Sequence, residues 1–150
     1  MASKNMNRLV IESVDFETLT SAHNLVPEFE PVPAAYFSQR CENTSHLKII
    51  AKIGSSAAGY MVSYDRYQDG SLYCWMAGVV PEFRCKGIYS AMAVKRLQWA
   101  KSNSYKTLRI KTRNNRREML SWLIKNGFQF TEVDKREPLS DSRIHLLKEL

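Results

Sequence analysis

The sequence contains no apolar run approaching the roughly 20 residues that a membrane-crossing helix needs, so a helical membrane protein is excluded as a reading. Cysteine is scarce: Cys41, Cys74 and Cys85 are odd in number, and their spacing fits neither a disulfide framework nor a zinc site. That pattern suits a reducing setting. No repeat, low-complexity block or linker divides the chain, so one domain over residues 1–150 is expected. The stretch from Met1 to Arg8 is polar and lacks the apolar core of a signal peptide, so the expected location is cytoplasmic. Acidic residues are the minority, 15 against 22 Lys and Arg, for a net charge of +7. The excess favours anionic partners: a phosphorylated cofactor, an acidic substrate or nucleic acid. The plain alternative is a solvated basic surface.

What is present is ordinary for a globular domain, 44% hydrophobic and 25% charged residues. Leu9-Val10-Ile11 reads as a first strand, and Asp15 is placed to cap a helix from Phe16 to about Asn24. Pro27, Pro31 and Pro33 break the chain before a second short helix over Ala34 to Arg40. Three strands follow, Leu47 to Ile53, Gly59 to Tyr64 and Leu72 to Val80, with turns at Gly54-Ser55-Ser56 and Gln68-Asp69-Gly70. They read as an antiparallel meander.

After Pro81 the period changes. Gly87 to Asn103 has no internal Gly or Pro and reads as helix, with Ile88, Met92 and Trp99 on one face and Val94 and Leu97 elsewhere. Leu108, Ile110 and Thr112 alternate with Arg109, Lys111 and Arg113, a strand with one basic face. Asn115 and Glu118 have the spacing of a capping box for a last helix that Gly127 ends. Phe128 to Val133 and Arg143 to Leu147 close the chain as strands around Pro138. This order predicts an α/β (α+β) fold, a mixed sheet with helices on both faces. Arg143 to Leu147 is a candidate edge through which a homodimer would form.

The chemistry concentrates in Val79 to Ser90, which joins a buried strand to the long helix. No Ser, Thr, Asp or Asn stands between Arg84 and Tyr89 to cap that helix, so its first amides lack a side-chain partner. A bound anion would supply one, helped by the helix dipole, by Gly87 and by the charges of Arg84 and Lys86. From glycine and charge alone, a plain strand-to-helix turn is an equal reading.

Val79-x-Pro81 followed by Arg84-x-x-Gly87-Ile88 resembles the acetyl-CoA signature of the GNAT superfamily of N-acyltransferases. The helix with Ser90, Leu97, Trp99 and Ala100, and the stretch from Asn115 through Met119 and Leu120 to Gly127-Phe128, are also similar. The resemblance implies a mostly antiparallel sheet of about seven strands. It also implies that the protein moves an acetyl group from acetyl-CoA, as co-substrate and without a metal, to a primary amine in a ternary complex. By the same resemblance, the strand at Gly78, Val79 and Val80 would pair with the pantetheine arm. The amides of Cys85, Lys86, Gly87, Ile88, Tyr89 and Ser90 would hold the pyrophosphate, with Arg84 beside them, and Asn115 would touch the pantetheine region. Three positions depart from the pattern. Cys85 stands where the family often has Gly, Tyr89 where it has Gly or Ala, and Leu123 where it often carries a proton-donating Tyr.

Acyl transfer needs a neutral amine, an alignment and a held oxyanion. A backbone N–H of Val79 or Val80 is the candidate oxyanion donor; Glu82, through water, and a tyrosine, Tyr73 or Tyr89, are the candidate bases. His23, His46 and His145 are scattered and read as surface or partly buried residues. The acceptor site is expected near Phe16 to Arg40, with Tyr36, Phe37, Trp75 and Trp122 as pocket or core aromatics. The acceptor is expected to be a small-molecule or protein amine. The alternatives are a charged tRNA, suggested by the basic charge, and a non-catalytic acetyl-CoA-binding module, suggested by Leu123.

Overall fold

The computed structural model describes residues 8–150, so the polar stretch 1–7 lies outside the described residues. The strands are β1 (Leu9–Ser13), β2 (His46–Ile53), β3 (Ser56–Tyr64), β4 (Ser71–Val79), β5 (Thr107–Arg113), β6 (Gln129–Asp134) and β7 (Arg143–Glu149). The helices are α1 (Phe16–His23), α2 (Ala35–Cys41), α3 (Ile88–Ser102) and α4 (Arg117–Lys125). One seven-stranded sheet runs β1-β2-β3-β4-β5-β7-β6. Every neighbouring pair is antiparallel except β4 and β5, which run parallel. No helix among the described residues is long and apolar enough to cross a membrane.

Strand alternation sorts the core onto the two faces of the sheet. Ile50, Tyr60, Val62 and Tyr73 face α1 and α2 through Leu19, Ala22 and Phe37. Their neighbours Ile49, Ala51 and Met61 face α3 through Ile88 and Met92. Leu72, Cys74, Leu108 and Ile110 pack with Ala100, Leu120 and Leu123 of α3 and α4. The basic side of β5 (Arg109, Lys111 and Arg113) is exposed, while Leu108 and Ile110 are buried, as the alternation in the sequence requires.

Local signals account for most boundaries. Asp15 Oδ1 accepts the Thr18 amide at 2.8 Å and caps α1. Gly127, at φ 88°, ends α4 with paired bonds from Gly127 N to Ile124 O and from Phe128 N to Leu123 O. Three expectations need correction. β3 begins at Ser56, because the turn is only Gly54-Ser55. Asn115 does not cap α4: Arg116 is the N-cap and makes no side-chain cap bond. The Asn115 amide is instead drawn to Ser140 O at 2.9 Å, so the loop is set by a tertiary contact. Arg143 to Leu147 is no edge, since β7 lies between β5 and β6; among the described residues the edge strands are β1 and β6.

The feature that positions the site is a fork. β4 pairs with β5 only from Ser71↔Thr107 to Cys74↔Ile110. Beyond it, β4 continues to Val79 beside β3 and β5 continues to Arg113 beside β7. The two central strands part there, and a cleft opens between them.

Candidate active site

The cleft has a volume of about 880 Å³. One wall is Trp75 to Val79 of β4, the other Ile110 to Arg113 of β5. Gly87 to Ser90 at the start of α3, Asn115 to Met119 with Trp122 around α4, and Val26, Glu28 and Phe29 between α1 and α2 complete it.

Antiparallel pairing alternates the direction in which a strand's main-chain groups point. Val80 N donates to Ala58 O at 2.8 Å, so Val80 and, two residues back, Gly78 direct their polar groups towards β3. Val79 and Ala77 therefore point theirs into the cleft. The Val79 carbonyl confirms this orientation, because it accepts Arg84 Nε at 3.0 Å. The Val79 and Ala77 N–H groups thus face the cleft. The Val80 N–H is not available, and Gly78 lines the cleft without a free main-chain donor.

At the end of β4 the chain makes a short 3-10 turn, Pro81–Phe83, and then reaches α3 through two residues with positive φ, Cys85 at 64° and Gly87 at 76°. The left-handed backbone at Cys85 gives the physical reason why glycine suits that position. Gly87 is the N-cap of α3 and makes no side-chain cap bond. The Arg84 amide is bonded to Pro81 O and the Ala91 amide to Gly87 O. Between them, the amides of Cys85, Lys86, Gly87, Ile88, Tyr89 and Ser90 have no main-chain or side-chain acceptor among the described residues. Six successive free N–H groups at the start of a 15-residue helix form a cradle for an anion such as pyrophosphate. An open β edge for an amide-bearing arm adjoins it, so the residues present fit acetyl-CoA.

Two ties hold this geometry. Arg84 Nη2 meets Glu28 Oε2 at 2.5 Å, linking the cradle to the loop after α1 across a half-exposed ion pair. Trp122 Nε1 donates to Ser90 Oγ at 2.9 Å, and the Trp122 ring meets Tyr89 edge-on at 4.8 Å, locking α4 against α3. Asn115 lines the cleft. Leu123 does not: it is fully buried between α4 and the sheet, and Trp122 holds the cleft-facing place.

Two of the expected bases, Tyr73 and Glu82, lie elsewhere, whereas Tyr89 lines the cleft beside Trp122. Tyr73 is buried in the sheet with its ring against Tyr64 and Tyr67, outside the cleft lining. It sits in the zipped part of β4, opposite Arg109. Glu82 is exposed on the 3-10 turn and is likewise outside the lining. The carboxylates that do line the cleft are Glu28 and Glu118. Glu28 lay in a proline-flanked segment without periodicity, and no signal in the sequence singled it out. None of the three histidines lines the cleft. Cys74 reaches it, but burial pushes its thiol up despite the neighbouring Arg96, which argues against a thiolate nucleophile.

Of the aromatics, Phe37 is core. Tyr36 and Trp75 meet at a tilt, ring centroids 5.4 Å apart, beneath the Arg40 guanidinium. Trp75 and Trp122 reach the cleft, and Phe29 joins them. The first helices contribute less than expected: only the segment after α1 lines the cleft.

Comparison with known proteins agrees with this geometry. The family model for the acetyltransferase (GNAT) family matches residues 14–128. No curated protein sequence matches the chain. Among solved structures, the IAA acetyltransferase from Bacillus cereus is 22% identical, with 95% of this chain and 100% of that one covered at a TM-score of 0.78. The ribosomal-protein-S18-alanine N-acetyltransferase from Escherichia coli is 13% identical, covering 95% and 94% at a TM-score of 0.78. A GNAT family acetyltransferase from Elizabethkingia anophelis with acetyl-CoA bound is 19% identical, covering 95% and 98% at a TM-score of 0.73. At such identities the likeness to these structures is one of fold. The forked sheet, the uncapped start of α3 and a family match over most of the chain lead to one conclusion: this chain belongs to the GNAT acetyltransferase family and is an acyltransferase.

Proposed function

We propose that the protein transfers the acetyl group of acetyl-CoA directly to a primary amine, both reactants being held together in the cleft. The observation that carries this reading is the run of six unpartnered amides, Cys85 to Ser90, opening beside the free edge of β4. Acetyl-CoA supplies the acetyl group as an activated thioester. The cradle amides would hold the pyrophosphate, with Arg84 and Lys86 as countercharge. The N–H groups of Ala77 and Val79 would hold the pantetheine amide and the thioester oxygen. Holding two reactants in place contributes on the order of 7–11 kcal/mol of barrier lowering.

Glu28 is the carboxylate placed to take the proton of the amine. It enters the cleft from the loop after α1, and Arg84 bridges it to the Val79 carbonyl, so carboxylate and oxyanion donor share one guanidinium. The acceptor's own charge is addressed by β5 and the start of α4. Lys111 and Arg116 line the cleft with no carboxylate within 4.0 Å among the described residues. This basic wall favours an amine that also carries an anionic group. A charged tRNA is the second reading on the same observation, and only that acceptor predicts a rate falling steeply with salt. Three unpaired cysteines, one of them exposed, support a reducing, cytoplasmic setting.

A panel of amines assayed for CoA release tests the proposal: turnover with at least one amine is expected. Glu28→Gln should lower kcat/KM by about 10²-fold or more at neutral pH, the typical worth of a general base. Turnover unchanged in Glu28→Gln removes Glu28 from the reaction, and no turnover with any amine contradicts the transfer itself.

A further inference from the structure

Arg96 is the most deeply buried charge in the described chain, 2% exposed, on the inward face of α3. No carboxylate lies within 4.0 Å of it among the described residues, and its Nε has no hydrogen-bond acceptor. Its neighbours are the Cys74 thiol, at the last rung before β4 and β5 part, and Tyr89, whose hydroxyl is within hydrogen-bonding reach of the guanidinium and whose ring centroid is 5.9 Å from the guanidinium carbon. Ser63 Oγ is also buried without a partner and lies against Cys74. Arg96 itself lines the cleft. A buried guanidinium without a counter-ion costs several kcal/mol, so its place at the floor of a cleft points to an anion that arrives with the ligand.

We propose that Arg96 holds the sulfur of coenzyme A as a thiolate. This rests on the acetyl-CoA reading above and extends it to the leaving group. Arg96 offsets the charge left on sulfur, which keeps the electron pair when the carbon–sulfur bond breaks after the carbon–nitrogen bond has formed. The proton released by the amine passes to Glu28 and solvent. Arg96 thus does electrostatically what a proton donor on α4 would do, and Leu123 is free to serve the core.

The test is calorimetric titration with coenzyme A and with desulfo-coenzyme A, which lacks the sulfur, between about pH 6 and about pH 9. These limits bracket the ordinary thiol value near 8.5. The titratable neighbours of Arg96, Cys74 and Tyr89, are present in both complexes and cancel in the ratio of affinities. In the wild type that ratio should rise by about eightfold between these limits in favour of coenzyme A, the change expected for one unit of thiol shift. In Arg96→Met it should be flat, and Arg96→Lys should keep part of the rise. Arg96→Met should also melt at or above the wild-type temperature, because a methionine fills the site without a charge.

A pH-independent ratio in the wild type overturns the assignment, whether or not any variant folds. So does an unchanged ratio in Arg96→Met, and a lowered melting temperature with the ratio retained would make Arg96 purely structural. Failure of the wild type to bind either coenzyme A or desulfo-coenzyme A would instead sink the acetyl-CoA reading, and this inference with it. Binding with a flat ratio would sink this inference alone.

Discussion

His23 and Arg96 are both buried polar side chains packed against the middle of the sheet, on opposite faces, and they are satisfied in opposite ways. The His23 Nε2–H donates to the Glu30 carbonyl at 3.1 Å, which leaves Nδ1 to accept the Tyr60 hydroxyl at 2.7 Å. Its ring stacks on Phe29 at 5.2 Å and meets Phe37 edge-on. Every polar atom there has a partner, and the cluster pins the loop that carries Glu28. Among the described residues Arg96 has no counter-ion and an orphaned Nε, and it lies buried at the floor of the cleft. Buried groups that are fully paired hold a structure together, while a buried charge left unpaired has been kept for something the fold alone does not provide.

The largest break in this comparison should come from His23→Leu, which strands the Tyr60 hydroxyl and the Glu30 carbonyl in the core. About 3 kcal/mol of stability should be lost, from two unsatisfied groups at about 1–3 kcal/mol each less the gain in apolar burial. Chemical denaturation of the two proteins measures it. Arg96→Met should move the other way and stabilise by about 1 kcal/mol or more, since replacing an awkwardly buried charge with a well-packed apolar chain often stabilises. Losses of similar size in both variants would erase the distinction drawn here.

The smallest effect is the pH response of His23. Burial pulls the imidazole below its ordinary value, and the Glu30 carbonyl pulls only partly back. The unfolded chain therefore binds a proton that the folded one refuses, so its contribution is present above about pH 6.5 and lost as pH falls below it. Melting temperature should decline on that acid side, with a shallower slope in His23→Leu. An equal slope in both would show that other groups carry the acid sensitivity.

Much of the framework could be read from residue order, because it depends on local chemistry. The Asp15 cap, the Gly127 stop, the alternation of β5 and the uncapped start of α3 each follow from residues a few positions apart. The α3 stop is less visible: Ser104 takes the left-handed conformation, at φ 64°, with bonds from Ser104 N to Lys101 O and from Tyr105 N to Ala100 O, without a glycine to announce it. The capping role of Asn115 failed because a contact to Ser140, 25 positions away, outcompeted a local one.

The candidate site was legible where it uses the main chain and hidden where it uses side chains brought from afar. Glu28 meets Arg84 only because the loop after α1 folds over the end of β4. Tyr73 drew notice as a tyrosine near the key segment, yet it sits where β4 is still paired with β5, before the cleft opens. Arg96 did leave a trace. Ile88, Met92, Arg96 and Ala100 recur every four residues, and all four are buried. Apolar Val94 is 53% exposed. An arginine within an otherwise buried i, i+4, i+8 row is a signal that reading by residue type alone passes over.

The account stands most directly on calorimetric titration of acetyl-CoA into the wild type and into Gly87→Glu, whose carboxylate would occupy the cradle in place of an anion. It predicts a single site in the wild type with a dissociation constant of about micromolar order, near −8 kcal/mol, and binding lost in the variant while its fold is kept. Absence of binding in the wild type, or equal binding in Gly87→Glu, would contradict it.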